Sequence, residues 1–170
     1  MYMLLRPEFS QLRNAALSRR NKPRVCNILI SMGGTDYLNS TGWVLDVLHG
    51  LDLPETIHIN IVLGPTSPHF KAVELKAKEL PFPFTIWNGT ASMGNLMLEA
   101  DIAVGAAGST AWERCCLGLP SVVLVLAKNQ QKISETLQKR KLSMVVKFQD
   151  NKALKNAILE LFTSKKKRHQ

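Results

Sequence analysis

The sequence predicts an α/β fold in which a six-stranded parallel sheet is covered by helices on both faces. From Val25 onward, short apolar runs alternate with segments of helical periodicity, so that each strand is followed by a helix. Two of the runs, 25–31 and 121–127, are almost continuously apolar, which is typical of central strands buried on both faces. A doubly wound, Rossmann-like sheet of this kind binds ligands at the carboxyl ends of its strands, where the strand order reverses.

Each element follows from this alternation. The predicted strands cover residues 25–31, 58–63, 84–87, 101–104, 121–126 and 144–148. The predicted helices cover residues 40–51, 68–79, 92–99, 110–117, 129–141 and 151–162. Because a helix separates every pair of consecutive strands, we expect all strands to run parallel.

The chain divides into three regions. Residues 25–163 carry the alternation and form one domain, a size that suits a single hydrophobic core. Residues 1–24 lie outside it and are expected to be a linker or connector from a domain upstream, within which Tyr2 to Leu17 could form an amphipathic helix. Residues 164–170 form a basic tail that supplies four of the nine net positive charges. Both ends are therefore expected to be solvated.

Composition excludes several classes of protein. A hydrophobic fraction of 45% with 21% charged residues is ordinary for a soluble domain, and we expect no membrane span. No secretory signal is visible, so a cytoplasmic location is expected. The basic ends lack an accompanying nucleic-acid module, so no specific nucleic-acid binding is expected. The three cysteines match no metal or redox spacing and are interpreted as small buried hydrophobes; neither metal nor cofactor is expected.

The segment after the fourth strand is the first candidate binding site. The residues from Ala103 to Gly108 have almost no side chains, so a ligand could approach the main chain before Ser109 and Thr110 open a helix. The amino terminus of that helix favours an anion such as a phosphate. Glu113 lies on the same face, where it would repel phosphate unless it reached a sugar hydroxyl. Alternatively, Thr110 and Glu113 form a capping box that satisfies the helix-end amides.

Two further loops follow buried strands. A paired-glycine turn after the first strand offers main-chain amides to a phosphate, although a tight turn with positive φ explains it equally well; it comprises Gly33, Gly34, Thr35 and Asp36. It lacks the spacing of a dinucleotide fingerprint and of a Walker loop. After the fifth strand, the amides of Asn129 and Gln130 suit the hydroxyl and acetamido groups of a sugar, or else Asn129 begins a polar helix as its N-cap.

Three stretches carry a family resemblance: ISMGGTD, ADIAVGAAGSTAWERCCLGLPSVVLVLAKNQ and LLRPEFSQLR. Together they closely resemble the C-terminal half of the bacterial UDP-sugar hydrolases of the pseudaminic acid pathway (PseG type). These enzymes cleave UDP-2,4-diacetamido-2,4,6-trideoxy-β-L-altropyranose. They are similar in fold to the lipid-linked N-acetylglucosamine transferases of peptidoglycan synthesis. The resemblance implies the C-terminal half of a two-domain glycosyltransferase-B architecture.

The resemblance also implies a role for each matching position. Gly108, Ser109 and Thr110 would hold the diphosphate, and Glu113 would accept hydrogen bonds from the ribose hydroxyls. Asn129 and Gln130 would contact the sugar. The turn after the first strand would face the phosphate or the sugar through Gly33, Gly34, Thr35 and Asp36. Main-chain groups near three residues of the third strand would read uracil: Ile86, Trp87 and Asn88.

One departure from the family limits what the chain alone can do. The family's general base resembles a histidine in a glycine-rich loop of the N-terminal domain, and this sequence contains no such loop. No catalytic residue is therefore assigned here. We expect a module that binds UDP or a UDP-linked diacetamido deoxysugar and needs an N-terminal catalytic domain in cis or trans. Two alternatives stay open: the donor-binding half of a two-part glycosyltransferase, and a noncatalytic UDP-sugar sensor.

Overall fold

In the computed structural model, which describes residues 5–21, 24–89 and 92–168, six parallel strands form one sheet. The spatial order is β3-β2-β1-β4-β5-β6, which confirms the predicted Rossmann-like fold. The strands are β1 (Asn27–Ser31), β2 (His58–Leu63), β3 (Phe84–Asn88), β4 (Ile102–Ala106), β5 (Ser121–Val125) and β6 (Met144–Lys147).

Helices connect every pair of consecutive strands, as predicted. They are α2 (Ser40–His49), α3 (Phe70–Lys78), α4 (Met93–Glu99), α5 (Ser109–Cys116), α6 (Gln131–Lys139) and α7 (Asn151–Thr163), with a 3₁₀ turn at Lys128–Gln130 before α6. A helix precedes the first strand, α1 (Pro7–Arg19), and a short one ends the described chain, α8 (Lys165–Arg168). No helix among the described residues is long and apolar enough to cross a bilayer.

The sheet separates two apolar layers because successive side chains of a strand point to opposite faces. Ile28 and Ile30 of β1 pack into the larger core with residues of α2, α3 and α7. Leu29, between them, packs on the other face with residues of α1 and α4. Both faces of β1 are therefore buried, which explains its continuous apolar sequence.

The strand order reverses between β1 and β4. Ser31, the last residue of β1, lies opposite Val62 of β2 on one side and Gly105 of β4 on the other. The loops that follow β1 and β4 therefore leave the sheet side by side. This is the place where a doubly wound sheet presents a ligand crevice.

The amino-terminal segment differs from expectation. Helix α1 overlaps the helix allowed over 2–17. It packs against the sheet because Phe9 and Ala16 are fully buried, so the prediction of a solvated segment is wrong for this helix. Just after the helix, the Arg20 guanidinium donates to the carbonyls of Leu117 and Met97, at 3.3 and 2.8 Å, and also to that of Ala100. These carbonyls lie at or near the carboxyl ends of α4 and α5, where a cation is favourable. Whether 1–24 also connects to another domain stays a prediction.

The basic tail and the cysteines show smaller differences. Lysines of α8 are exposed, but Arg168 folds back to donate to the carbonyls of Leu161 and Phe162, at 2.8 and 2.9 Å. Cys26 is exposed, so the burial predicted for the cysteines is wrong there. Cys115 is mostly buried, and its burial raises the pKa of the thiol.

Candidate functional site

Two glycine-containing turns form the floor of the candidate site at the switch point. Gly33 has φ +96°, a conformation that favours glycine, so the tight-turn interpretation accounts for its backbone. The surroundings of Gly33, Gly34 and Gly108 are also open, since a Cβ at any of them would meet nothing within 4 Å. At Gly64, by contrast, a Cβ would collide with the main chain of Gly34, so the loop after β2 supports the back of the first turn. The open sides of both turns leave room for a ligand to approach the backbone.

Gly105 is small for another reason. A Cβ there would lie 2.5 Å from Arg114 Nη1 and 2.7 Å from the Ser31 carbonyl oxygen. The expectation that small residues of 103–108 leave room for a ligand therefore fails at this position, because the Arg114 guanidinium occupies the space. Arg114 is 2% exposed, and desolvation lowers its pKa to about 10, so it stays charged at neutral pH.

Glu113 is the acidic group of the site. It lies in the second turn of α5 and is 7% exposed. Its Oε1 accepts a hydrogen bond from Arg6 Nε at 3.1 Å, while its Oε2 is buried with no partner among the described residues. A buried carboxylate oxygen normally has a donor, and leaving it without one is costly. One acceptor of this carboxylate is therefore left without a donor among the described residues.

The capping-box alternative is wrong. Gly108 is the N-cap of α5, and no side chain in the described ranges caps this end of the helix. Glu113 turns toward Arg6 instead of the helix-end amides. The first amides of α5 therefore lack a side-chain acceptor, which keeps the anion-binding capacity of the helix terminus.

Arg6 is a site residue that sequence reasoning missed. Its guanidinium joins Glu113 to Glu8, with N–O distances of 3.1 Å to each, and lies 4.9 Å from the centre of the Phe9 ring. These contacts hold the Glu113 carboxylate in one orientation. The only sequence signal was the LLRPEF stretch, and no periodicity connects it with a residue 107 positions later.

Asp36 occupies a different position from the other residues of its turn. It is 6% exposed, and its carboxylate accepts hydrogen bonds from the amides of Ser40 and Thr41, at 2.8 and 2.9 Å. It thus satisfies the amino terminus of α2. Thr35, its neighbour, is exposed at the rim of the turn. The structure therefore gives Asp36 a structural partner and leaves Thr35 accessible.

The residues predicted to read uracil lie on the edge strand β3. Ile86 is half-buried, Trp87 is 38% exposed and Asn88 is exposed. The Trp87 indole nitrogen donates to Asn60 Oδ1 at 3.2 Å, which fixes the ring against β2. An edge strand has main-chain donors and acceptors that no neighbouring strand uses. These groups are available for the edge of a base.

Asn129 and Gln130 form part of the 3₁₀ turn after β5. The N-cap of α6 is Gln130, so the alternative that placed Asn129 there is wrong. Gln130 Oε1 accepts a hydrogen bond from the Leu126 amide at 2.9 Å, and Asn129 is exposed. The predicted site residues therefore all lie at the carboxyl ends of the strands. From β3 to β5 they extend over four strand spacings, or about 19 Å.

Several known proteins resemble this chain. In sequence, it is 34% identical over 125 residues to the uncharacterized protein MJ1062 of Methanocaldococcus jannaschii, covering 72% of this chain and 25% of the relative. It is 29% identical over 136 residues to the spore coat polysaccharide biosynthesis protein SpsG of Bacillus subtilis, covering 79% of this chain and 39% of SpsG. The chain thus spans well under half the length of these relatives.

The fold matches halves of solved structures. MurG of Acinetobacter baumannii superimposes with a TM-score of 0.74 at 18% identity, covering 91% of this chain and 48% of MurG. WaaG, a glycosyltransferase involved in lipopolysaccharide biosynthesis, gives a TM-score of 0.61 at 16% identity, covering 97% and 45%. At these identities the similarity shows the fold alone. Residues 27–170 match the glycosyltransferase family 28 C-terminal domain, and the chain therefore belongs to that family.

Proposed function

We propose that this chain binds the UDP portion of a UDP-linked sugar at the carboxyl ends of its strands. The observation that carries the proposal is the Glu113 carboxylate, buried beside an uncapped helix terminus with Oε2 unpartnered. A carboxylate held beside a phosphate site is unfavourable unless it serves a neutral hydroxyl group. A ribose diol next to a diphosphate supplies both groups at once.

The other positions take their roles from this geometry. The diphosphate contacts the amides at Gly108, Ser109 and Thr110, where the dipole of α5 favours negative charge. Gly33, Gly34 and Thr35 border the phosphates or sugar from the open turn after β1. Asp36 supports that turn by accepting hydrogen bonds from the first two amides of α2.

The two ends of the ligand reach the outer strands. Main-chain groups at Ile86, Trp87 and Asn88 contact uracil on the edge strand. Asn129 and the free amide nitrogen of Gln130 contact the sugar, since the Gln130 oxygen already accepts from Leu126.

We further propose that the chain is the UDP-binding part of a UDP-deoxysugar hydrolase, which releases UDP and the free diacetamido sugar in pseudaminic (nonulosonic) acid biosynthesis. The support is the combination of GAAGSTAWERCCLGLP with the following NQ. An N-terminal half, in cis or trans, would supply the general base and the opposite wall of the cleft. Loss of general-base help alone costs about 10²- to 10⁴-fold in rate, so the chain by itself is expected to bind without hydrolysing.

A second function is favoured by the family itself, whose members are described as glycosyltransferases. In that case the chain binds the sugar donor and a partner half binds the acceptor. The two functions differ in one requirement, because a hydrolase releases UDP with water alone. A noncatalytic UDP-sugar sensor would show full affinity with no partner half.

Thermal unfolding with nucleotides tests the binding proposal. We expect UDP to raise the melting temperature more than ADP or GDP does, with a stabilisation of about 2.7 kcal/mol at 100 times the dissociation constant. Equal shifts for the three nucleotides would remove the uridine assignment. Density for UDP away from the turns after β1 and β4 in soaked crystals would remove the site.

The activity is tested by adding the missing half. The chain is combined with the N-terminal half of a related hydrolase, complex formation is verified, and UDP release is measured with and without an acceptor. Release with water alone supports the hydrolase. Release that depends on an acceptor supports the transferase, and no release from a verified complex contradicts the hydrolase.

A further inference from the structure

Arg114 is a charged group that the proposed contacts do not use. It is 2% exposed, and among the residues that the structure describes it forms no ion pair. Its Nη2 donates to the Ala106 carbonyl at 2.9 Å, its Nη1 lies 3.5 Å from Thr110 Oγ1, and its Nε has no partner. The Glu113 carboxylate acts on it only from a distance. A buried cation without a direct ion pair is expensive, so its presence at this position needs an explanation.

The position of the guanidinium supplies that explanation. Side chains of a helix lean toward its amino terminus, so Arg114 extends back along α5 to the turn at 106–110. A Cβ on Gly105 would approach both Arg114 Nη1 and the Ser31 carbonyl, which places the guanidinium beside Gly105 of β4 and near the end of β1. The cation thus lies under the switch point, next to the positive end of the α5 dipole. Two positive contributions therefore meet at one turn, and an anion bound there would relieve both.

We propose that Arg114 is a buried positioning residue for the diphosphate of the ligand, acting through the turn at 106–110 rather than by direct contact. This inference rests on the proposed function. Its bond to the Ala106 carbonyl offsets the partial negative charge of an oxygen that would repel phosphate. Its approach to Thr110 Oγ1 occupies a lone pair of that hydroxyl, which directs the hydroxyl hydrogen outward as a donor. The full charge adds an attraction that the low-dielectric surroundings screen weakly.

Affinities for UDP, uridine and inorganic pyrophosphate test the proposal in four proteins: the wild-type chain, Arg114→Met, Arg114→Lys and the control Arg140→Met. Arg140 is exposed and makes no ion pair in the described part of the chain, so its variant removes one charge elsewhere. We expect Arg114→Met to weaken UDP and pyrophosphate about 10- to 100-fold and to change uridine less than about twofold. Arg114→Lys keeps the charge and should lose less, and Arg140→Met should bind as the wild type does.

Two results would overturn the inference: unchanged UDP affinity in folded Arg114→Met, and an equal loss for UDP and uridine, which marks a purely structural role. If Arg114→Met does not fold, the wild-type protein decides. The NMR signal of the Arg114 Nε–H group, identified by its loss in Arg114→Lys, should shift with pyrophosphate and UDP but not with uridine. No shift with pyrophosphate would refute the inference.

The same measurements separate this inference from the proposed function. If the UDP affinity of Arg114→Met equals that of the wild type, only the role of the arginine is contradicted. Pyrophosphate binding that depends on Arg114, with no added affinity from uridine, supports the arginine and contradicts the UDP assignment. A wild-type chain that binds neither UDP nor pyrophosphate contradicts both.

Discussion

Glu113→Gln is the sharpest test of the site because it removes the charge and preserves the shape. A hydrogen bond to a charged group contributes about 1.5–3 kcal/mol. Loss of that charge assistance on the ribose diol should raise the dissociation constant of UDP about 10- to 100-fold. Binding of 2′,3′-dideoxy-UDP should stay unchanged, since that ligand lacks the hydroxyls from which we propose that Glu113 accepts hydrogen bonds.

The same variant is not expected to destabilise the folded protein. The Arg6 side chain is 49% exposed, so its ion pair with Glu113 contributes only about 0–1 kcal/mol. The unpartnered Oε2 atom costs about 1–3 kcal/mol in the free protein, and an uncharged amide reduces that cost. We therefore expect Glu113→Gln to unfold at the same or a higher denaturant concentration. A fall in stability with unchanged UDP affinity would refute the assignment of Glu113 to the ribose.

Three further predictions address single groups. Asp36→Ala removes the acceptor of the Ser40 and Thr41 amides and should lower the free energy of unfolding by about 1–2 kcal/mol in urea titrations, with UDP affinity changed less than about twofold; a large loss of affinity would instead make Asp36 a ligand contact. Gly108→Ala should keep its stability, because a Cβ there meets no protein atom within 4 Å, but should weaken UDP binding measured by calorimetry; unchanged binding would place the phosphates elsewhere. Burial raises the pKa of the Cys115 thiol above its ordinary 9.0, so the stability from this group is present below pH 9 and is lost as the pH rises through the folded-state pKa. At pH 8 a thiol reagent should therefore modify exposed Cys26 before Cys115, and the reverse order would contradict the burial.

Periodicity was sufficient to predict the sheet. The runs at 28–30 and 122–124 are apolar on both faces because helices cover both sides of β1 and β5, so sequence and burial carry the same information. The predicted strand ends lie within two residues of the observed ones, and β2 matches at both ends. The remaining differences arise because the last residues of a strand are set by loop geometry. Glycine-rich turns at the strand ends likewise located the candidate site.

Contacts between residues that are distant in sequence could not be predicted from periodicity and local spacing. The Thr110–Glu113 spacing fits a capping box, yet Arg6 lies close in space and attracts the carboxylate away from the helix end. Gly105 was grouped with glycines that face open space, although a buried guanidinium fills its surroundings. Local spacing identifies which groups can form a hydrogen bond. Which of these bonds forms depends on residues that are distant in sequence but close in space.

The three hydrogen bonds that Arg20 donates to carbonyl groups indicate that the folded domain starts before the first strand. The family match begins at residue 27, the first residue of β1, and leaves out α1. A protein trimmed to that boundary would uncover the apolar surfaces of Met97 and Leu117 and lose the cation that satisfies two helix ends. Helix α1 and Arg20 therefore belong to the packed domain, and a protein that starts at residue 27 would lack part of its core.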